Sequence, residues 1–230
     1  GNEQSKKRST GRTRASVKPL NAKLDIYTLK SFCTVKTPTD IPASTFLITK
    51  LHVRVCGSHS VGKSTLVNRF LHDDVSPTLT ERKRASANFQ SHHAQVRGVD
   101  LDLRFIFTDY NGCNSADVQR AGFHFVVYDA CNRQSFEHAR ELVAMLYASP
   151  LSHYGFTKYI VLVCNKADVN AHRQVSNEEA IALAKRYNVE FRCVSATRDS
   201  HGTIARLFNE QIELYVSHRL ADVEQKQKEQ

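Results

Sequence analysis

No run of apolar residues in this 230-residue chain approaches the ~18–20 that a membrane-spanning helix needs, so no such helix is expected. Paired cysteine spacing is missing too. The six cysteines (Cys33, Cys56, Cys113, Cys131, Cys164 and Cys193) form no recognisable ligand or bridge pattern, which argues against a disulfide framework or zinc site and for a reducing compartment. Cys56, Cys164 and Cys193 fall in segments that read as core strands, where a free thiol acts as a small hydrophobe. There is no internal repeat. Hydrophobic residues make up 41% of the chain, ample for one core. The length suggests one domain plus an extension, since domains mostly run ~100–200 residues.

Acidic residues are scarce at one end. Residues 1–47 hold nine Lys/Arg against three Asp/Glu, so they supply +6 of the chain's +9. This segment contains Ser, Thr and Pro, is weakly periodic, and ends near Pro42, ahead of the first strong strand pattern. It reads as a basic arm on a nearly neutral globular body.

What is present is more specific. Gly57-Ser58-His59-Ser60-Val61-Gly62-Lys63-Ser64 fits the phosphate-cradling loop GxxxxGK[ST]. The glycines let backbone N–H groups curl around phosphate oxygens, Lys63 supplies a point charge for the β- and γ-phosphates, and the Ser64 hydroxyl is a Mg²⁺ ligand. The loop follows the alternating Leu51-Val53-Val55 and precedes a helical pattern of Leu66, Val67, Phe70 and Leu71, the strand–loop–helix context that the motif requires.

Beyond it, a second strand is expected over about 85–96. A third carries Val99, Leu101, Leu103, Phe105 and Phe107 alternating with polar residues, which marks one wetter face near a sheet edge. Residues 123–128 and 159–164 read as strands buried on both faces, separated by Phe136, Ala139, Leu142, Val143 and Leu146 at helical spacing. Ser176 and Glu179 form a capping box for a helix through about Tyr187. A last strand, Val189 to Val194, leads to a helix with Ile204, Leu207, Phe208, Ile212 and Tyr215 on one side. Alternating strands and helices predict a parallel-rich sheet covered on both faces, with ligands at the carboxyl ends of its strands.

Three further motifs close strands there. Asp109-Tyr110-Asn111-Gly112 is DxxG: the carboxylate can hold Mg²⁺ through a water and the Gly112 amide can donate to a γ-phosphate. Asn165-Lys166-Ala167-Asp168 is NKxD, whose Asp168 carboxylate can accept two N–H bonds from the N1 and N2 edge of guanine. Adenine lacks that donor pair, and leaving the carboxylate unpaired costs roughly 1–3 kcal/mol or more. Ser195-Ala196-Thr197 follows the sixth strand, where the Ala196 N–H can meet guanine O6.

Over about residues 48–218 this set resembles the Ras superfamily of small GTPases, and Cys131-Asn132-Arg133-Gln134-Ser135-Phe136 is similar to that family's segment after the fourth strand. The resemblance implies an α/β P-loop fold with a six-stranded, mostly parallel sheet and helices on both faces. It implies GTP/GDP and Mg²⁺ as ligands, two switch segments that order around the γ-phosphate, and effector or regulatory proteins as partners. Residues Gly57 to Ser64 with Thr65 and Gly112 would hold the phosphates. Asn165, Lys166, Asp168, Ser195, Ala196 and Thr197 would surround guanine, and Ser64, Thr78 and Asp109 would serve the metal. The domain would span 48–220, between the basic arm and a polar tail at 221–230.

The chain also departs from that family. Cys113 stands where the family carries the Gln that orients the attacking water, and a thiol is a poor partner for water. His59 fills a loop position that is commonly Gly and would crowd the γ-phosphate; His59 or the pair His92/His93 can instead orient water, but a solvated or phosphate-contacting role is the simpler expectation. Hydrolysis is therefore expected to be slow or absent. Ser76-Pro77-Thr78-Leu79 resembles the first switch, yet Thr78 lies only 14 residues beyond Ser64 and Thr80 competes for its role. No aromatic lies between Leu71 and Thr78 to cover the guanine edge, which favours quick exchange. Residues 113–122 are too few for the usual second-switch helix. The run at 81–84, Glu-Arg-Lys-Arg, reads as an effector surface or a solvated strand edge.

The ends carry their own expectations. The last thirty residues contain no Cys, so the family's C-terminal prenylation is not expected. Gly1-Asn2-Glu3-Gln4-Ser5 matches the N-myristoylation pattern if an initiator Met has been removed, and the basic residues through position 23 would add a second attraction to a membrane surface. Against this stands an unlipidated, solvated tail. Two functions stay open: a membrane-associated GTPase switch, or a nucleotide-holding structural subunit docked by its arm into a cytoskeletal or ribonucleoprotein assembly, with RNA the less favoured contact.

Overall fold

The computed structural model describes residues 50–73, 89–96, 99–113, 116, 118, 121–148 and 158–228. Gly1 and the basic arm, the switch candidates Thr78 and Thr80, and the 81–84 run lie outside the described residues.

Six strands form one sheet: β1 (Lys50–Gly57), β2 (Phe89–Val96), β3 (Val99–Asp109), β4 (Phe123–Asp129), β5 (Tyr159–Asn165) and β6 (Glu190–Cys193). Their spatial order is β2-β3-β1-β4-β5-β6, with β2 antiparallel to β3 and every other pairing parallel. Among the described residues, four α-helices accompany them: α1 (Lys63–His72), α2 (Arg133–Ala148), α3 (Asn177–Tyr187) and α4 (His201–Lys228). The α/β fold expected from the alternating pattern is thus the one formed.

Each helix covers the sheet with its apolar stripe. On one face α1 and α4 bring Leu66, Val67, Phe70, Ile204, Phe208 and Ile212 against Val53, Leu103, Phe105 and Phe125. Phe70 stacks on Phe208 at 4.7 Å between centroids, and Phe105 meets Phe208 edge-on. On the other face α2 and α3 press Phe136, Leu142, Leu146 and Leu183 onto Val126, Tyr128, Leu162 and Cys164. This two-sided cover explains why β4 is buried along its whole length and β5 along all but its first residue.

Four local outcomes differ from the sequence reading or sharpen it. Cys193 is exposed rather than core, because β6 is the edge strand and its last residue lies at the rim. At α3 only half of the capping box forms: the Glu179 N–H donates to Ser176 Oγ, but the Glu179 carboxylate takes the Arg133 guanidinium at 2.7 Å. In the stretch after Gly112, too short for the usual switch helix, Ala116 and Val118 are nonetheless helical. Finally, α4 continues to Lys228 through the segment read as a polar tail. Among the described residues no helix is long and apolar enough to cross a membrane.

Candidate nucleotide-binding site

The parallel strands β1, β3, β4 and β5 end on the same rim of the sheet, and the sequence places a polar loop at each end. That is where open α/β sheets hold ligands. Gly57 ends β1 at φ 150°, and a Cβ there would lie 2.2 Å from the Val127 carbonyl oxygen. Gly62 begins the helix at φ 93°, and its Cβ would lie 2.3 Å from Asn165 Nδ2. Both positions need glycine because a neighbouring strand end occupies the space. Gly57→Ala meets immovable backbone and a disfavoured φ together, so we expect a loss of about 3 kcal/mol or more. A thermal melt should then fall by roughly 6–12 °C; an unchanged melting temperature would contradict this packing.

Lys63 folds back under the loop. Its ammonium donates to Gly57 O at 3.0 Å and Ser58 O at 2.8 Å, and pairs with Asp109 Oδ1 at 2.5 Å. The Lys63 side chain is nearly buried, whereas Asp109 is 60% exposed and faces outward. His59 is 90% exposed, and its Nδ1 sits 4.0 Å from Asp109 Oδ2. Ser64 is exposed at the start of α1. A charged amine, a helix N-terminus and an exposed carboxylate therefore converge on one patch. That donor set suits a polyanion with a divalent cation. Among the described residues no cluster of three or more His, Cys, Asp or Glu forms an all-protein metal cage.

Asn165 fastens the loops together. Its Nδ2 donates to Val61 O at 2.8 Å while its Oδ1 accepts the Ala196 N–H at 3.0 Å, all with the side chain buried. Sequence reasoning placed that Ala196 N–H on guanine O6; in the structure it is already engaged by Asn165. Lys166, in the left-handed conformation at φ 58°, reaches across to Ser60 O at 3.0 Å and Asp129 Oδ2 at 2.6 Å. Asp168 keeps a partly exposed carboxylate whose ion-pair partner, Arg198 Nε, is 3.9 Å away and mostly exposed itself. The Ser195 N–H donates to Asp199 Oδ2 at 2.8 Å, which shapes the turn carrying Ser195 and Thr197.

Cys113 departs most from the sequence expectation. The turn Tyr110–Gly112 closes with the Cys113 N–H on Tyr110 O and swings the side chain inward. The thiol is fully buried, 3.3 Å from Asp109 O and hydrogen-bonded to Cys56 beneath the loop. Contact with Cys113 and burial together push the Cys56 thiol pKa well up, while the same contact with Cys56 draws that of Cys113 down. The Cys113 side chain thus faces the core and not solvent. His92 and His93 lie on β2, paired with Leu103 and Asp102 of β3.

Three contributors were not singled out in the sequence: His138, Glu141 and Asp129. His138 of α2 hydrogen-bonds Ser58 Oγ at 2.8 Å through Nδ1 and stacks on Tyr110 with centroids 3.9 Å apart. The Tyr110 hydroxyl donates to Glu141. Helix α2 thereby holds both the phosphate loop and the DxxG turn. Asp129, at the end of β4, is the third, and its place on the same rim as Asp109 and Asn165 was the available clue.

With this geometry in view, comparison with known sequences is decisive: the Ras family profile matches residues 52–215, well over half of the chain. The chain belongs to the Ras family of small GTPases. Over 167 residues it is 32% identical to the Ras-related protein RABA3 of Arabidopsis thaliana, covering 70% of this chain and 67% of that protein. It is 28% identical over 149 residues to the GTP-binding protein Rit2 of Rattus norvegicus, 63% of this chain and 65% of that one. It is 30% identical over 146 residues to the GTP-binding protein Rheb of Homo sapiens, 60% of this chain and 74% of that one. The match thus spans about two thirds of the first two relatives. Rab-like, Rit and Rheb relatives together assign no subfamily. Members of this family of GTPases are GTP-binding switches that interact with effectors and regulators.

Proposed function

We propose that this Ras-family chain binds GTP and GDP at the rim built by Gly57 to Thr65, Asp109, Gly112, Asn165 to Asp168 and Ser195 to Thr197, and that it hydrolyses GTP slowly or not at all. One observation carries the reading: the buried Asn165 amide joins the phosphate loop to the base-side loop, so one side chain sets the distance between the two ends of a nucleotide. Lys63 would exchange Asp109 for phosphate oxygens, and the helix N-terminus would add its amides. Asp168 would accept the guanine N1 and N2 donors in place of its loose contact with Arg198. Ser64, and Asp109 through water, would hold Mg²⁺, which when bound neutralises charge on the phosphate oxygens.

Slow hydrolysis is supported by what surrounds Asp109. Cys113 points into the core, and exposed His59 is the imidazole that stands beside Asp109, 4.0 Å away. Cys113→Gln is therefore expected to destabilise, not to rescue. A larger amide buried against Cys56 costs about 1–3 kcal/mol for its unpaired polar atoms, plus overpacking. Single-turnover hydrolysis should stay flat while the melting temperature drops. A rate gain of tenfold or more would contradict the inward placement.

A second reading, a nucleotide-holding structural subunit, draws on the His138 contacts with Ser58 and Tyr110, which tie the DxxG turn to α2. Hydrogen exchange at residues 110–113 separates the two: a difference between GDP- and GTP-analogue-loaded protein marks a switch, and identical protection marks the subunit. In either case the +6 arm would bring the domain to an anionic surface, a membrane first and an assembly second, at ~1 kcal/mol per basic residue near lipid. Co-sedimentation with phosphatidylserine vesicles, lost on deleting 1–23, tests that placement.

A further inference from the structure

We propose that Cys193 and Cys164 form a redox-responsive pair: a small disulfide oxidises them to an intramolecular bridge between β5 and β6, directly behind the candidate base-side loops. The two residues are register partners on adjacent parallel strands, so their side chains leave the sheet on the same face. Neighbouring strands lie ~4.7–4.9 Å apart, inside the ~4.4–6.8 Å that a disulfide spans between Cα atoms. Their thiols already hydrogen-bond. Cys164 is fully buried, but Cys193 is exposed at the rim, so one thiol can meet a reagent and the other can resolve it.

The surroundings of Cys193 favour a thiolate. Arg173 Nη2 lies 3.8 Å from its sulfur, and the same guanidinium is fixed by Asn177 Oδ1 at 2.8 Å and Val175 O at 3.2 Å. Asn177 Oδ1 is also 3.6 Å from the sulfur and serves the neutral thiol. Beyond Cys164 the Tyr128 hydroxyl closes the sheet side, and Asp199 is the opposing negative charge. The hydrogen bond from Cys164, together with Arg173, brings the Cys193 thiol down to about 6, while Cys164 is held protonated.

The chemistry balances in two displacements. The Cys193 thiolate attacks one sulfur of the small disulfide, forming a mixed disulfide and releasing one thiolate. Once Cys193 is bonded to the small thiol it no longer holds the Cys164 proton; Cys164 gives that proton to solvent, its thiolate attacks Cys193 sulfur, and the second small thiolate leaves and takes up a proton. Two protein thiols are oxidised and one disulfide is reduced to two small thiols. Asn165 follows Cys164 directly and Ser195 lies two positions after Cys193, so the bridge would brace both base-side loops. The bond itself does not depend on the nucleotide reading.

The test uses the full chain and an aromatic disulfide. A low-pKa thiolate is also a weaker nucleophile, so at pH 7 Cys193 should outpace an ordinary thiol by only about 2–3-fold, but at pH 5.5 by roughly 20-fold. The pH profile of Cys193 modification on the unmutated protein should have its midpoint near 6. Peptide mapping after oxidation should find Cys164 linked to Cys193. Cys164→Ser should stop at the mixed disulfide, and Arg173→Gln should shift the midpoint upward. A midpoint near the usual thiol value of ~8.5, or oxidised protein in which Cys193 carries only the mixed disulfide while Cys164 stays free, would overturn the proposal.

Discussion

Lys63→Ala is expected to weaken GDP and GTP binding by between about 30-fold and several thousand-fold, the cost of truncating one partner of a buried charged contact. The argument rests on position. The Lys63 amine is nearly buried and aimed by two loop carbonyls toward the rim, so its charge reaches a phosphate largely undiluted by solvent. Its present ion-pair partner, Asp109, is 60% exposed, and a pair with so exposed a member contributes only ~0–1 kcal/mol. Stability should therefore fall little, by less than about 4 °C in melting temperature, while binding collapses. Equilibrium titration with a fluorescent GDP measures the first quantity and a melt the second. Affinity within threefold of the unmutated protein would remove Lys63 from the phosphate site.

Asp168→Asn is expected to reverse base preference. Guanine offers two N–H donors to a carboxylate that has two acceptor oxygens. Asparagine replaces one of those oxygens with a donor, so one hydrogen bond is lost and two donors face each other. At about 1–3 kcal/mol for each, GTP affinity should fall roughly 30- to 20,000-fold. Xanthine presents one donor and one acceptor along the same edge, which matches asparagine, so xanthosine triphosphate should gain what GTP loses. The only ion-pair partner of Asp168 among the described residues, Arg198 at 3.9 Å, is too exposed for its loss to affect the fold. Competition between the two nucleotides on the variant gives the answer directly. Parallel losses for both would mean that Asp168 shapes the loop without reading the base.

The sheet and its loops were legible because periodicity is local. Alternation along 99–107, the unbroken apolar runs of β4 and β5, and the helical stripe from Ile204 to Tyr215 each identify an element without reference to the rest of the chain. Glycine spacing gave the phosphate loop in the same way. What escaped depends on contacts far apart in sequence. Cys113 sits one residue past a recognisable motif, but its inward turn is fixed by Cys56 on another strand. His138 is one polar residue on an amphipathic helix; only the seat of α2 over β4 brings it to Ser58 and Tyr110. Cys193 falls within the strand read from Val189 to Val194, yet its exposure follows from β6 being last in the strand order, which its own residues do not encode. The Ala196 N–H is diverted by Asn165 for the same kind of reason.

The most direct measurement is competition of GDP, GTP, ADP and ATP for the purified full chain in the presence of Mg²⁺. A site reading guanine through Asp168 and gripping phosphate through Lys63 should prefer both guanine nucleotides over their adenine counterparts by 100-fold or more, about 3 kcal/mol. Equal affinity for ATP and GTP, or no binding of either, would contradict it.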